Sequence, residues 1–260
     1  MLFINTRPRD RAAKLTEQLQ NAQIPVVELP LLELIAQPLS EDLLALYRRL
    51  DQADIIVVVS PTAVQLGMRY LQQAGVALHS LQHVQWVAVG QATEKALAAY
   101  GIHSHVPELE TSEGMLQLPV LKQLALPATV AFWRGEGGRQ FMMQHLHEQK
   151  VQVLNFVLYR RQCPAESADI LEKKRAVIQA EQPCVVLISS EASWLNWLDL
   201  AEKSCPQLIH QAHYLVLGPR LAVLLGEYQQ QHQAGFQFAQ LDDLSGSTIL
   251  HYMLTTLGHS

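Results

Sequence analysis

Cysteine is scarce in this chain of 260 residues, with three in all, Cys163, Cys184 and Cys205. An odd number with no Cys-x-x-Cys pair argues against a disulfide framework and fits a reducing compartment. Long apolar runs are missing too. The most apolar uncharged stretch, Ile55 to Met68, is interrupted by Ser60, Pro61 and Gln65. It falls short of the roughly 20 residues that span a bilayer, so no membrane partner is expected. Nor is there an excess of positive charge. With 19 Lys and Arg against 24 Asp and Glu the formal net charge is −5, whereas a nucleic-acid binder shows a basic patch and a high pI. The opening stretch MLFINTRPRD has no apolar core of the signal-peptide kind, which sets the expectation of a cytoplasmic protein. Eleven histidines are present, but His79 and His83 lack the intervening Glu of H-E-x-x-H. His103 and His105 have no carboxylate or thiolate neighbour, so no metal site is expected. No apolar surface repeat is evident, and a monomer is expected.

What remains is ordinary globular composition, 49% hydrophobic and 17% charged, enough for one large core or two of about 100 to 150 residues. The stretch VAFWRGEGGRQFMMQHL, from Val130 to Leu146, reads as a strand, a Gly-rich turn and a helix. That geometry presents free amides to an anion. A P-loop would need Lys and a hydroxyl after Gly138, where Arg139 and Gln140 stand. A dinucleotide fingerprint finds Gly135 and Gly137 at the right spacing and then no third glycine. The same glycines would equally serve only to permit a tight turn.

The chain is written twice. At an offset of about 128 residues, QWVAVGQATEKALAAYG from Gln85 falls on HYLVLGPRLAVLLGEYQ from His213. At the same offset LFINTRPRDRAAKLTEQLQNAQIPVVEL from Leu2 lies on VAFWRGEGGRQFMMQHLHEQKVQVLNFV from Val130. One residue out of that register, IIVVVSPTAVQL from Ile55 meets CVVLISSEASWL from Cys184. Each half alternates short, continuously apolar strands with amphipathic helices. Strand cores are read at 3–5, 55–59, 86–89, 130–133, 185–188 and 214–217, and helices at 11–20, 63–72, 94–100, 139–149, 194–201 and 221–228. This is the signature of parallel sheets covered on both faces, so two similar doubly wound α/β domains are expected.

In such sheets ligands bind beyond the carboxyl ends of the strands, and the distinctive residues collect there. They are Thr6 and Arg7; Ser60 and Thr62 around Pro61; Gly90 and Gln91; Arg134, Gly135, Gly137, Gly138 and Arg139; Ser189 and Ser190; and Gly218 and Arg220. Hydroxyls, amides and arginines without Asp, Cys or His suit a small ligand with several carboxylates or phosphates. Taken singly, each Ser, Thr or Gly also serves as a helix cap or turn residue.

The ordered set NTRP, AVGQATEKAL, P…TSEGML, RGEGGR, YRR and LGPRLA resembles the uroporphyrinogen-III synthase family over essentially the whole length. The resemblance implies a discontinuous first domain, residues 1–35 with 162–260, and an inserted second domain, 36–161. Two extended linker segments, VVELPLLELIA from Val26 and VQVLNFVLYRR from Val151, would join them, with RGEGGR facing the cleft. It implies a cofactor-free lyase whose substrate is hydroxymethylbilane, a linear tetrapyrrole with carboxylates on every ring. Ring A would lose its hydroxyl, ring D would attack through its substituted carbon, and the macrocycle would close with ring D inverted. Tyr159, in LYRR, matches the family's tyrosine proposed to assist hydroxide departure, and it would equally serve as a core aromatic. Thr93, in GQAT, matches a threonine able to hold a substrate carboxylate. Arg220 and Leu221 stand where other members carry threonines, and Pro61 interrupts the commoner TSAN turn. The rival reading is a two-lobed binding protein that closes on a polycarboxylate without chemistry.

Overall fold

The computed structural model describes residues 1–137 and 140–258. In chain order they run β1 (Leu2–Asn5), α1 (Arg9–Asn21), β2 (Val26–Glu28), β3 (Glu33–Ala36), α2 (Glu41–Tyr47), β4 (Ile55–Val58), α3 (Pro61–Gln73), β5 (Gln85–Ala88) and α4 (Gln91–Ala98). Next come α5 (Ser112–Leu116), α6 (Pro119–Lys122), β6 (Thr129–Gly135), α7 (Phe141–Glu148) and β7 (Gln152–Gln162). The remainder is α8 (Glu166–Ala180), β8 (Cys184–Ile188), α9 (Glu191–Ser204), α10 (Gln207–Gln211), β9 (His213–Leu217), α11 (Gly218–His232), β10 (Gln237–Leu241) and α12 (Gly246–Tyr252). The chain divides into two compact units, Met1–Glu33 with Gln162–Ser260, and Leu34–Arg161.

In the first unit the sheet order is β10-β9-β8-β1-β2, with every pairing parallel. Alternate residues of each strand point to opposite faces. Leu2, Ile4, Val186, Ile188 and Val216 therefore pack with Trp194 and Trp197 of α9, while Phe3, Val185, Leu187 and Leu215 pack with Leu15, Leu19 and Ile249. Both faces are covered, which is why these strands read as unbroken apolar runs.

The second unit has the order β3-β7-β6-β4-β5, with β4, β5, β6 and β7 paired in parallel. One face buries Ile56, Val58, Ala131, Trp133 and Phe156 with Val64, Met68 and Leu71 of α3. The other buries Ile55, Val57, Val130 and Phe132 with Met142 and Leu146 of α7. The series β9-β8-β1-β2 in one unit and β5-β4-β6-β7 in the other pairs the strands that the sequence repeat matched. The fold class is thus two doubly wound α/β units. Beyond β5, where the first unit has β10, the second has a single bridge between Val87 and His105.

The extended segment from Val26 holds two strands, β2 and β3. Between them, across Pro30, the Leu29 and Leu31 N–H groups still donate to the Asn5 and Thr6 carbonyls at 2.9 and 3.1 Å. β7 does run unbroken for 11 residues. Besides the short helices α2, α5, α6, α10 and α12, the elements not read from the sequence are β10 and the 15-residue α8. β10 has partly buried Phe238 and Ala239 with exposed Gln at both neighbouring positions, and α8 buries only Ser167, Leu171 and Ile178.

The α3 contact with the sheet depends on Gly67, because a Cβ there would fall well inside van der Waals distance of the Trp133 ring carbons Cε3 and Cζ3. Trp133 is fully buried and has no room to retreat. Gly67→Ala gains helix propensity of about 1 kcal/mol, but overpacking a rigid core costs about 1 to 3 kcal/mol. The expected outcome is a net loss of stability, read as a lowered thermal midpoint; a midpoint at or above wild type would show that the helix shifts freely.

Candidate active site

In an open α/β sheet the crevice forms where consecutive connections leave in opposite directions. In the second unit that point lies between β4 and β6. A cavity of about 390 Å³ opens there, lined by Val59, Val89, Glu110, Thr111, Ser112, Met115, Arg134, Gly135, Gly137, Tyr159 and Arg161. A larger one, about 530 Å³, lies by Gln85 and Trp86 at the start of β5, with His79 and His103. It is at the amino ends of the strands, away from the convergent polar groups, and the smaller cavity is the better candidate.

Tyr159 reaches the cavity through an irregularity in the β6–β7 ladder. Arg134 pairs with Val157 but Gly135 pairs with Tyr159, so Leu158 is one extra residue on β7. Such a bulge re-aims the side chains that follow it. The Glu136 N–H donates to the Tyr159 carbonyl at 2.6 Å, fixing the new register. A Cβ on Gly135 would collide with Cε2 and Cζ of the Tyr159 ring, so the bare glycine lets the ring lie on the strand. The ring is 1% exposed, its hydroxyl lies 3.0 Å from the Ser60 Oγ, and the Arg161 guanidinium sits 5.6 Å from its centroid.

Arg134 is buried, and its donors go to the turn that follows it. Nε donates to the Gly135 carbonyl at 3.1 Å, Nη2 to the Gly137 carbonyl, and Nη1 faces the Met143 sulfur at 3.8 Å. Burial depresses the guanidinium below the ordinary arginine value; the Tyr159 hydroxyl offsets part of this, and the Arg161 cation adds to it. Arginine stays protonated through such a shift. Its carbonyl partners satisfy its hydrogen bonds without neutralising its charge.

The helix starts around the cavity are capped from within. Ser60 caps α3, accepting from the Ala63 N–H at 3.0 Å, and Thr62 is half-buried in the first turn of that helix. At α4 the Gln91 N–H donates to the Glu110 carboxylate at 2.9 Å, Gly90 is the N-cap, and Thr93 is buried. Gly137 turns with φ +71°. Gly138 and Arg139 lie outside the described residues. Glu110, Thr111 and Arg161 join the cavity although they were not among the residues singled out from the sequence; TSEGML and YRR carried a signal for Thr111 and Arg161, and Glu110 stands just before the first of these.

The first-unit residues are tied up locally. The Thr6 hydroxyl donates to the Leu187 carbonyl, and Arg7 donates to the Leu244 carbonyl, its guanidinium depressed by burial. Ser190 forms a capping box with Ser193, beside half-buried Ser189. Gly218 opens α11 with φ +69°, and Arg220 pairs with Glu191. Burial pushes the Cys184 thiol up to about 12 and raises that of Cys163, so neither supplies a thiolate at neutral pH. Among the described residues no group of three or more His, Cys, Asp or Glu could hold a metal ion.

Arg134 thus clamps the turn by a planar fork that lysine cannot copy. Arg134→Lys keeps the charge and loses the fork, and the expected result is destabilisation of about 1 to 3 kcal/mol in denaturant unfolding. Stability equal to wild type would mean that the clamp contributes nothing.

The family model described as Uroporphyrinogen-III synthase HemD matches residues 13–234. The fold is similar to a mutant uroporphyrinogen III synthase from the extreme thermophile Thermus thermophilus, with TM-score 0.68, 14% identity, and 100% of each chain covered. The wild-type protein from the same source gives TM-score 0.52 at 18% identity, covering 100% of this chain and 99% of that one. Uroporphyrinogen-III synthetase from Helicobacter pylori gives 0.59 at 14% identity, covering 97% of this chain and 99% of that one. At such identities the solved structures speak for the fold, and the family rests on the sequence match. That match spans most of the chain, and the chain belongs to the uroporphyrinogen-III synthase family.

Proposed function

We propose that the chain cyclises hydroxymethylbilane to uroporphyrinogen III with loss of water, and that the cavity between β4 and β6 is where its second unit engages the substrate. The observation that carries this is the family match over residues 13–234. The cavity adds chemical support: a buried guanidinium whose partners among the described residues are carbonyls and a sulfur, a second guanidinium, and a tyrosine hydroxyl at one switch point.

A substrate with carboxylates on every ring needs dispersed anion contacts. Arg134 and Arg161 supply charge, and the amides of Gly135 and Gly137, with Gly138 and Arg139 next in sequence, supply donors. Gly90, Gln91, Thr62 and Thr93 at the α3 and α4 starts are proposed for further carboxylates, and Thr6, Arg7, Ser189, Ser190, Gly218 and Arg220 for those reaching the first unit. The reaction needs orientation more than strong acid or base, because spontaneous closure gives the uninverted isomer. Holding ring D so that its substituted carbon meets the electrophilic carbon of ring A is a positioning task.

Tyr159 is the proposed catalytic residue. Its phenol donates a hydrogen bond toward the departing hydroxide of ring A, where negative charge develops, and such a donor lowers the barrier only as that charge appears. Water leaves with the hydroxyl of ring A and a proton from the pyrrole framework, so the sum is substrate to macrocycle plus water. The reading calls for no cofactor, and for a cytoplasmic monomer. No helix among the described residues is long and apolar enough to cross a membrane.

The test is turnover of enzymically generated hydroxymethylbilane by the purified chain without added cofactor. Product of type III above the spontaneous type I background is expected; binding without turnover would return the chain to a non-catalytic polycarboxylate binder. For Tyr159→Phe, kcat is expected to fall by roughly 10- to 1000-fold, with KM little changed and more type I product. If kcat and the isomer ratio both match wild type at equal thermal stability, Tyr159 is a packing residue.

A further inference from the structure

The two units share an architecture but use the serines that cap their corresponding helices, α3 and α9, differently. In the first unit Ser190 caps α9, and its hydroxyl is spent locally: it accepts from the Ser193 N–H at 3.1 Å and lies 2.9 Å from the Ser193 Oγ. In the second unit Ser60 caps α3 in the same way, accepting from the Ala63 N–H at 3.0 Å. The third helical position there is alanine, so no capping box can close. The hydroxyl of Ser60 is left for a partner 99 residues away, the Tyr159 hydroxyl at 3.0 Å.

We propose that Ser60 is a positioning residue for the reaction, holding the Tyr159 hydroxyl at the cavity. The inference rests on the role proposed for Tyr159 above. A serine oxygen has two acceptor sites and one proton. The Ala63 amide occupies one acceptor site, which locks Ser60 to the amino end of α3. Rotation about the Cβ–Oγ bond turns either the proton or the remaining acceptor site toward Tyr159, so either hydroxyl can be the donor. Ser60 can accept from the phenol while the cavity is empty, then rotate its proton to donate into the phenol oxygen as the phenol turns its own proton toward a leaving group. No bond other than these hydrogen bonds changes, and no proton is consumed. From the other side Gly135 holds the ring, because any side chain there would collide with Cε2. Ring and hydroxyl are thereby fixed by two different strand ends, those of β6 and β4.

The experiment is a double-mutant cycle on kcat and KM. Ser60→Ala is expected to lower kcat about 3- to 10-fold, the size of one net hydrogen bond, with KM within about twofold. In a Tyr159→Phe background the same change is expected to alter kcat by less than about twofold, since non-additivity marks residues acting as one unit. Ser60→Thr keeps both cap and hydroxyl and is expected to restore most of the kcat lost in Ser60→Ala. Loss of the cap lowers stability on its own, so the kcat values are compared well below each variant's thermal midpoint. Equal kcat losses from Ser60→Ala in both backgrounds would overturn the positioning role while leaving Tyr159 in place. A Tyr159→Phe enzyme as fast as wild type would instead remove the tyrosine, and Ser60 with it. A Ser60→Ala enzyme with raised KM and unchanged kcat would make Ser60 a substrate contact and overturn the inference.

Discussion

One extra residue in β7 decides the geometry of the cavity. Parallel pairing of β6 and β7 runs in step from Thr129 to Arg134 and then slips, so that Gly135 faces Tyr159 and not Leu158. Side chains alternate along a strand, and a slip of one exchanges the two faces. Without it Leu158 would stand opposite Gly135, and the hydroxyl would point to the other side of the sheet. Leu158 is instead fully buried in the core beside Phe156. The bulge therefore satisfies two demands, an apolar residue for the core and a polar one for the strand end.

Charge follows from the same slip. Beyond it the chain turns back on Arg134, whose fork takes the Gly135 and Gly137 carbonyls. Carbonyl dipoles meet the directional requirement of a guanidinium, yet they leave its unit charge in place, and a half-enclosed site screens that charge poorly. Arg161 adds a second cation, and Glu110 is the one acidic residue among those lining the cavity. Its carboxylate is drawn to the α4 amide. The positive excess is local in a chain whose formal charge is −5, so the proposed attraction of a polycarboxylate rests on this focusing and not on the protein's overall field.

Much of the fold was legible because parallel sheets covered on both faces write themselves as unbroken aliphatic runs. The six strand cores read from the sequence all fall on strands, and the repeat pairs the same strands that match in sheet order. Strands and helices with little burial escaped: β10 with exposed Gln237 and Gln240, and α8 with its many exposed charges. At the site, strand ends could be listed from sequence, but which of them share a cavity could not. Ser60 and Tyr159 meet across 99 residues, and Gln91 finds Glu110 across a loop. Neither pairing leaves a periodic trace, since the first depends on strand order and on a one-residue slip and the second on the path of a loop, and no hydrophobic pattern encodes either.

The repeat supplies an internal control for the chemistry. At the offset of about 128 that aligns Leu2 with Val130, Tyr159 falls on Leu31. Leu31 is fully buried and donates its N–H to the Thr6 carbonyl at 3.1 Å, so it keeps the backbone place without offering a polar group. Thr6, in the same unit, turns its hydroxyl to the Leu187 carbonyl, and Ser190 closes on Ser193. These first-unit hydroxyls are bound to their own backbone or cap. In the second unit, a glycine that admits the ring, an alanine that leaves the capping serine open, and a tyrosine in place of leucine occur together. Each of the three alone would be an ordinary substitution in a doubly wound sheet. Their combination at one switch point supports the role proposed for Tyr159, since together they admit the ring at the strand end and leave its hydroxyl a capping serine as partner.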